Sequence, residues 1–227
     1  MRTLLLVLAM TVVVAGASVA ATATIDIYEG WNLIAAPLVP FDADPLSVFA
    51  GAAEGIDGLL SRMDPLWGGV AYDSFDPEFF GNILLGDGYW LLAYTDGQTL
   101  TYDGVENGVP DGTGAKTDMW ISLPGAGSEG GWHFIGNPFA QDVAVDSGAG
   151  VGDNIFFTDG TDLKNWNDAV AADWVDSTMY GEASYGGFGV TYDGFGEDDS
   201  LRAGKAYQFL TFVPNIAMIV PAPADAN

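Results

Sequence analysis

The sequence GWNLIAAPL occupies residues 30–38, and a related sequence, GWHFIGNPF, occupies residues 131–139. Both begin with Gly-Trp, carry Ile at the fifth position and reach Pro at the eighth. Each has the short apolar run and flanking turn residues that are typical of a buried β-strand. A block that returns in the same chain predicts that one supersecondary unit occurs twice.

Two further pairs of blocks follow in the same order. Residues 60–65 (LSRMDP) match residues 155–160 (IFFTDG), and residues 86–91 (GDGYWL) match residues 204–209 (GKAYQF). Three ordered matches predict an internal duplication, with insertions in the second copy. The first repeat then spans 24–103 and the second spans 118–227, while residues 104–117, rich in Gly, Asp and Pro, form a linker.

Within each repeat the apolar pattern has a period of two, which favours strands over helices. The dipeptide Asp-Gly, which favours tight hairpin turns, occurs seven times in the chain. The predicted fold is all-β, with two related antiparallel sandwich- or barrel-like halves. One short helix is expected over 45–53, with Asp44 as N-cap and Pro45 as first residue, and another helical turn within 162–174.

The strand predicted at residues 89–94 is apolar on both faces. Tyr89 and Leu91 share one face, whereas Trp90, Leu92 and Tyr94 share the other. One face must lie in a core. The other face either packs against the second half or contacts a partner.

The N-terminus has the pattern of a secretory signal peptide over residues 1–23. Arg2 precedes an apolar run from Leu4 to Ala20, and small residues before Ala20 and Ala23 each fit a cleavage site. An uncleaved anchor is the alternative, since the run approaches spanning length. We expect a secreted or cell-surface protein without a membrane span in its mature form, and the lack of Cys excludes disulfide bonds.

The charge of the chain limits its partners. There are 31 acidic residues against 6 basic ones, giving a formal net charge of −25. Nucleic acids and anionic membranes both require a basic surface, so neither is an expected partner. Bound divalent cations, or a high-salt environment that screens self-repulsion, would each account for the acidity.

The blocks GWNLIxxP and GDGYWL resemble a β-domain of exported bacterial cell-surface proteins, in which these two strands recur as a pair. The resemblance covers both halves and implies a β-fold and an extracellular location. It implies no reaction, because the shared residues are structural. The second half departs from the pattern at His133 and at Tyr207-Gln208.

Enzymatic chemistry is not expected. His133 is the only His and stands where the first half has Asn32, which indicates a structural hydrogen-bonding position rather than a member of a Ser-His-Asp triad. One His and no Cys also argue against a zinc or copper site. Asp64 and Asp159 fall at matching positions of the repeat, but each precedes a turn residue, so turn formation is favoured over paired-carboxylate hydrolysis.

Calcium is the cofactor hypothesis that the composition leaves open, since hard cations need several oxygen ligands. The candidate ligands are Asp159, Asp162, Asn165 and Asp168 in one segment, with residues 197–199 as a second acidic group. Neither group matches an EF-hand loop. Solvated acidic surface is the competing interpretation.

Two functions remain. The preferred one is a non-enzymatic extracellular or cell-surface structural or adhesion protein, whose partners are other copies of itself or other surface components. The alternative is a carbohydrate-binding β-sandwich module that holds a polysaccharide on exposed Trp and Tyr rings. Four tryptophans are the candidate ligand-binding residues: Trp67, Trp90, Trp166 and Trp174. Solvent-facing rings would favour the binder, and buried rings would favour the structural role.

Overall fold

The computed structural model describes residues 20–108, 116–146, 152–182, 188–192 and 200–223. Antiparallel strands dominate these residues, and the helices among them are three short segments. The all-β prediction is therefore confirmed. None of the described helices is long and apolar enough to cross a bilayer.

The first half contains seven strands and two helices within the described residues. They are β1 (Ala21–Ile27), β2 (Gly30–Ala35), β3 (Val39–Pro40), α1 (Pro45–Val48), β4 (Leu60–Asp64), β5 (Gly68–Ala71), α2 (Pro77–Phe80), β6 (Gly88–Ala93) and β7 (Gln98–Val105). They form one sheet in the order β1-β7-β3 and a second in the order β2-β6-β4-β5.

The second half contains ten strands and one helix within the described residues. They are β8 (Met119–Leu123), β9 (Gly131–Gly136), β10 (Val143–Ala144), β11 (Phe156–Thr158), β12 (Leu163–Asn165), α3 (Trp166–Ala171), β13 (Val175–Glu182), β14 (Phe188–Tyr192), β15 (Ser200–Leu201), β16 (Ala206–Thr211) and β17 (Ile216–Val220). Their sheets have the orders β12-β11-β17-β8, β14-β13-β16-β9 and β10-β15.

The two Gly-Trp blocks occupy corresponding places in the two halves. In the first half β2 pairs with β6, and Asn32 lies opposite Leu91. In the second half β9 pairs with β16, and His133 lies opposite Phe209. The block matches also place Asn32 with His133 and Leu91 with Phe209, so the two pairings have the same register. A common origin of the halves stays a prediction.

The match between residues 60–65 and 155–160 is wrong in structural terms. Residues 60–64 form β4, which pairs with β6, whereas residues 156–158 form β11, which pairs with β17 in a different sheet. The place of β4 beside β6 is taken in the second half by β13 beside β16. A short apolar run before an Asp turn specifies a strand but not its neighbour.

The Asp-Gly dipeptide at residues 103–104 does not form a turn. Asp103 and Gly104 lie inside β7, where Gly104 pairs with Ala21 of β1 and with Pro40 of β3. A Cβ atom at Gly104 would lie 2.4 Å from the carbonyl oxygen of Val39, so glycine is needed here for close approach of β3. The predicted linker, 104–117, therefore begins inside a strand, and its residues 109–115 lie outside the described residues.

Helix α1 starts as predicted but ends early. The Asp44 carboxylate accepts a hydrogen bond from the backbone N–H of Leu46 at 2.8 Å, and Pro45 is the first helical residue. The helix ends at Val48 rather than continuing to residue 53. Helix α3 lies within the second predicted segment, whereas α2 was not predicted.

Each half has its own apolar core. In the first half, Ile27 and Leu100 pack with Leu60 and Tyr89 from the second sheet. In the second half, Phe157 and Met218 pack with Phe209 and with Trp166 from α3. Alternate residues of the central strands are thus buried between two sheets, as the period of two predicts.

The halves meet through the other faces of β2, β6, β9 and β16. Leu33, Ala35 and Ala206 are buried there, with Trp90 and Phe134 packed against them. The rings of Trp90 and Phe134 have centroids 6.1 Å apart. Of the two alternatives for the second apolar face of β6, packing against the second half is the one observed at Trp90.

Hydrogen bonds across this junction are reciprocal. The N–H of Ala35 donates to the carbonyl of Gly204 at 3.1 Å, and the N–H of Gly136 donates to the carbonyl of Gly86 at 2.8 Å. Ala35 and Gly136 match in the repeat, as do Gly204 and Gly86. The junction therefore has the reciprocity of a two-fold dimer interface, within one chain.

Candidate functional site

The turn between β4 and β5 has a fixed conformation. The Asp64 carboxylate accepts hydrogen bonds from the N–H groups of Leu66 at 2.9 Å and Trp67 at 3.1 Å. Gly68, which follows, has a φ of 75° that favours glycine. Partial burial by itself raises the pKa of Asp64, but these N–H groups and the Arg62 guanidinium bring that pKa below its usual value.

This turn carries two large apolar side chains into solvent. Leu66 is 75 % exposed and Trp67 is 71 % exposed. Phe79, from α2, is 51 % exposed, and its ring centroid lies 6.3 Å from that of Trp67 in an edge-on arrangement. Phe75, which precedes α2, is 94 % exposed. We call Leu66, Trp67, Phe75 and Phe79 the aromatic tip.

Helix α2 is held against β4 by Arg62. The guanidinium donates to the carbonyl of Phe80 at 2.7 Å and to that of Phe79 at 3.3 Å. The neighbouring ring of Phe80 is buried and packs edge-on against Tyr72, with centroids 5.5 Å apart. Phe79 therefore projects from an anchored segment.

The structure does not bring the four candidate tryptophans together. Trp67 lies at the aromatic tip, and Trp90 is half-buried at the junction beside Trp31 and Phe134. Trp166 is buried in the second core. Trp174 is half-buried against that core, and the Lys164 ammonium lies 4.8 Å from its ring centroid. Of the four, Trp67 alone is largely exposed.

The candidate calcium ligands take part in local backbone hydrogen bonding. Asp159 accepts from the N–H groups of Asp162 and Thr161, each at 2.8 Å, and these bonds lower its pKa. Asn165 caps α3 by accepting from the N–H of Asp168 at 2.8 Å.

No group of three or more His, Asp or Glu side chains in the described part of the chain could hold a metal ion. The second acidic group, 197–199, lies outside the described residues. Calcium binding therefore stays a prediction, and the turn and cap roles of Asp159 and Asn165 are what the geometry shows.

His133 and Asn32 each form a hydrogen bond near the start of a Gly-Trp strand. The Nε2 atom of His133 lies 3.1 Å from the Oγ1 atom of Thr211, and burial lowers the pKa of His133 to about 4. The side-chain N–H of Asn32 donates to the carbonyl of Tyr28 at 2.9 Å, and its side-chain oxygen accepts from the N–H of Tyr28 at 3.0 Å. These contacts fit the structural role expected for the pair.

Sequence reasoning missed several exposed rings. Trp31 and Trp120 are 59 % and 60 % exposed, and Trp132 is 45 % exposed. In β2 and β9 the polar residue, Asn32 or His133, shares the core face with Ile34 or Ile135, so periodicity does not separate the core face from the exposed one. For Phe75 the flanking Asp73, Ser74 and Asp76 were an available signal of exposure.

In comparisons with protein-family models, with curated proteins and with solved structures, nothing matched this chain. The resemblance to β-domains of exported surface proteins thus stays a prediction that rests on the Gly-Trp and Gly-Tyr-Trp blocks.

Proposed function

We propose that this chain is an exported, non-enzymatic structural or adhesion protein that attaches at the cell surface through its aromatic tip. The observation that carries the proposal is the exposure of four large apolar side chains, two in the turn between β4 and β5 and two in the segment that leads into and forms α2. An exposed apolar cluster on a folded domain is a common mark of an interaction surface.

The tip is better suited to an apolar partner surface than to a sugar. Sugar rings stack on flat aromatic platforms, whereas the Trp67 and Phe79 rings meet at 66°. Such an edge-on pair presents both a ring face and a ring edge, which suits packing against other side chains. This geometry favours the adhesion function over the carbohydrate-binding alternative at this site.

Attachment between copies is the form of this proposal that can be tested with the protein alone. A net charge of −25 makes copies repel one another, so apolar contact at the tip is opposed at low salt. Raising NaCl from about 0.1 M to about 1 M shortens the screening length from ~10 Å to ~3 Å. We therefore expect light scattering to show oligomers of the mature chain that grow with both protein and salt concentration.

The double variant Leu66→Ser/Trp67→Ser is expected to remain monomeric under the same conditions. Its matched control is Trp120→Ser/Leu163→Ser, which removes a Trp that is 60 % exposed and a Leu that is 62 % exposed elsewhere on the surface. A wild-type chain that stays monomeric at every salt concentration, or a control that loses assembly as completely as the tip variant, would refute attachment through the tip.

A further inference from the structure

A cavity of about 220 Å³ opens where the two halves meet. Arg62, Met63 and Asp87 of the first half line one side of it. Ser122 and Trp132 of the second half line the other. Neither half alone forms this cavity, which is separate from the exposed side chains of the aromatic tip.

Trp132 gives the cavity an aromatic wall. The residue is in β9, next to Leu210 of β16, and its ring centroid lies 6.4 Å from that of Tyr180. Nearly half of Trp132 is accessible. A partly exposed indole that is supported by a second ring is the kind of group on which the apolar face of a ring-shaped ligand can stack.

Asp87 and Arg62 supply opposite charges to the same cavity. Asp87 is half-buried, and among the described residues no hydrogen bond to its carboxylate is found. Burial raises the pKa of Asp87 to about 6, although the Arg62 guanidinium acts in the opposite direction. Arg62 is itself held by the carbonyls of Phe79 and Phe80. Its guanidinium also pairs with Asp64 at 3.4 Å, so the cavity offers a carboxylate that lacks donors and an Arg whose charge is already engaged.

These features restrict the chemistry of an occupant. An anion would meet Asp87 and the strongly acidic chain, and the positive charge of Arg62 is already paired with Asp64 at 3.4 Å, so the Asp87 carboxylate is the group that is left to accept a hydrogen bond. A neutral ligand with several hydroxyl groups can donate to Asp87 while its ring rests on Trp132. The volume is below the ~300–1,000 Å³ of pockets for drug-sized ligands, which limits the buried part to one ring and its substituents.

We propose that the cleft between the halves, formed by Arg62, Asp87, Ser122 and Trp132, binds one residue of a neutral saccharide. The four side chains of the aromatic tip do not line the cleft, although Arg62 contributes to both places, so the cleft adds a ligand to the proposed surface role and does not depend on that role. It also differs from the four tryptophans that the sequence indicated, since Trp132 is not among them.

The corresponding place in the repeat provides a control. Trp31 matches Trp132, and Lys205 matches Asp87. The Lys205 ammonium lies 5.4 Å from the ring centroid of Tyr28, so that side of the junction carries a cation beside an aromatic ring in place of the carboxylate. Trp31→Ala therefore removes an equivalent, even more exposed indole without touching the proposed site.

The experiment is a titration of the full mature chain with neutral hexose and N-acetylhexosamine disaccharides. Calorimetry and tryptophan fluorescence measure the binding. At least one disaccharide is expected to bind. Trp132→Ala should weaken that binding roughly tenfold or more, as removal of a central aromatic contact does, whereas Trp31→Ala should leave it unchanged. Ser122 is exposed and lines the cavity, so Ser122→Phe should fill the cavity without disturbing a core. This variant should not bind the disaccharide, although circular dichroism shows that it is folded.

Three results would overturn the proposal: no binding by any disaccharide in the set, equal losses in Trp31→Ala and Trp132→Ala, or full binding by folded Ser122→Phe. The double variant Leu66→Ser/Trp67→Ser separates the two functional proposals, because it should abolish assembly and leave saccharide binding intact.

Discussion

At the scale of single residues, the junction between the halves depends on pairs of small side chains. Gly88 of β6 faces Ala206 of β16, and a Cβ atom at Gly88 would lie 2.7 Å from that of Ala206. Gly136 faces Ala35 in the same way, with a Cβ-to-Cβ distance of 2.2 Å. The matched positions of the repeat thus hold Ala in one half and Gly in the other, and two alanines would collide.

Gly88→Ala is therefore expected to destabilise the protein by about 1–3 kcal/mol, the usual cost of overpacking. Adding Ala206→Gly should restore part of the loss, and the remainder reflects the backbone of Phe134, 3.0 Å from the new Cβ. Urea unfolding measures both effects. The matched control is Gly69→Ala in β5, where a Cβ meets nothing within 4 Å; an equal loss there would show that the junction contact is not the cause.

His133 makes stability depend on pH. Its pKa is about 4 in the folded protein and about 6.5 in an unfolded chain. The unfolded state therefore takes up the proton first as pH falls, so stability present at neutral pH is lost between about pH 6.5 and pH 4. The full effect is up to about 3 kcal/mol at acidic pH.

His133→Asn, which installs the residue of the matched position, should remove this part of the pH dependence. Asp87 affects the pH dependence of stability with the opposite sign, because its folded pKa of about 6 lies above the ordinary 3.8. This contribution is the same in the wild type and in His133→Asn, so it cancels in the comparison. Unfolding at pH 7 and pH 4.5 gives the comparison. A variant that loses as much stability as the wild type would contradict a neutral, buried His133.

At the scale of elements, β1 bears on how the N-terminus is processed. The strand begins at Ala21, whose partner in β7 is Gly104. Ala23 is buried in the first core, and the Thr22 hydroxyl donates to Asp103 at 2.7 Å. Cleavage after Ala23 would remove three paired residues, whereas cleavage after Ala20 would keep the strand whole.

We therefore expect that cleavage of the proposed signal peptide leaves a chain that begins at Ala21. The intact mass of protein collected from the medium or the cell surface, with N-terminal sequencing, decides the point. A chain that begins at Thr24 would show that the first three residues of β1 are dispensable, and a chain that retains its leader would support the anchor alternative.

At the scale of the whole molecule, much of the fold could be predicted but the use of its surfaces could not. Asp44 and Pro45 mark the start of α1 because an N-cap oxygen and a fixed φ act locally. The Gly-Trp blocks predict β2 and β9 because a short apolar run with flanking turn residues is also a local signal. The neighbours of β4 and β11 depend on contacts between distant segments, and a short apolar pattern does not encode them.

The candidate site shows the same limit. Trp67 and Trp166 both stand in turn-rich segments of the sequence, yet the first is exposed at the aromatic tip and the second is buried in the core of the second half. The segment DPLWG carries its own turn signals and so predicts the turn at Trp67, but these signals do not predict that the ring is exposed. The cleft at Trp132 depends on how the two halves pack, which no local pattern specifies.

Hydrogen–deuterium exchange of the mature chain at low and high protein concentration, in about 1 M NaCl where the screening length is ~3 Å, tests the contact role of the aromatic tip most directly. If copies attach through the tip, backbone amides of residues 65–80 exchange more slowly in the concentrated sample, while those of β8 are unchanged. Protection confined to another part of the surface, or exchange that is independent of concentration throughout, would contradict that role.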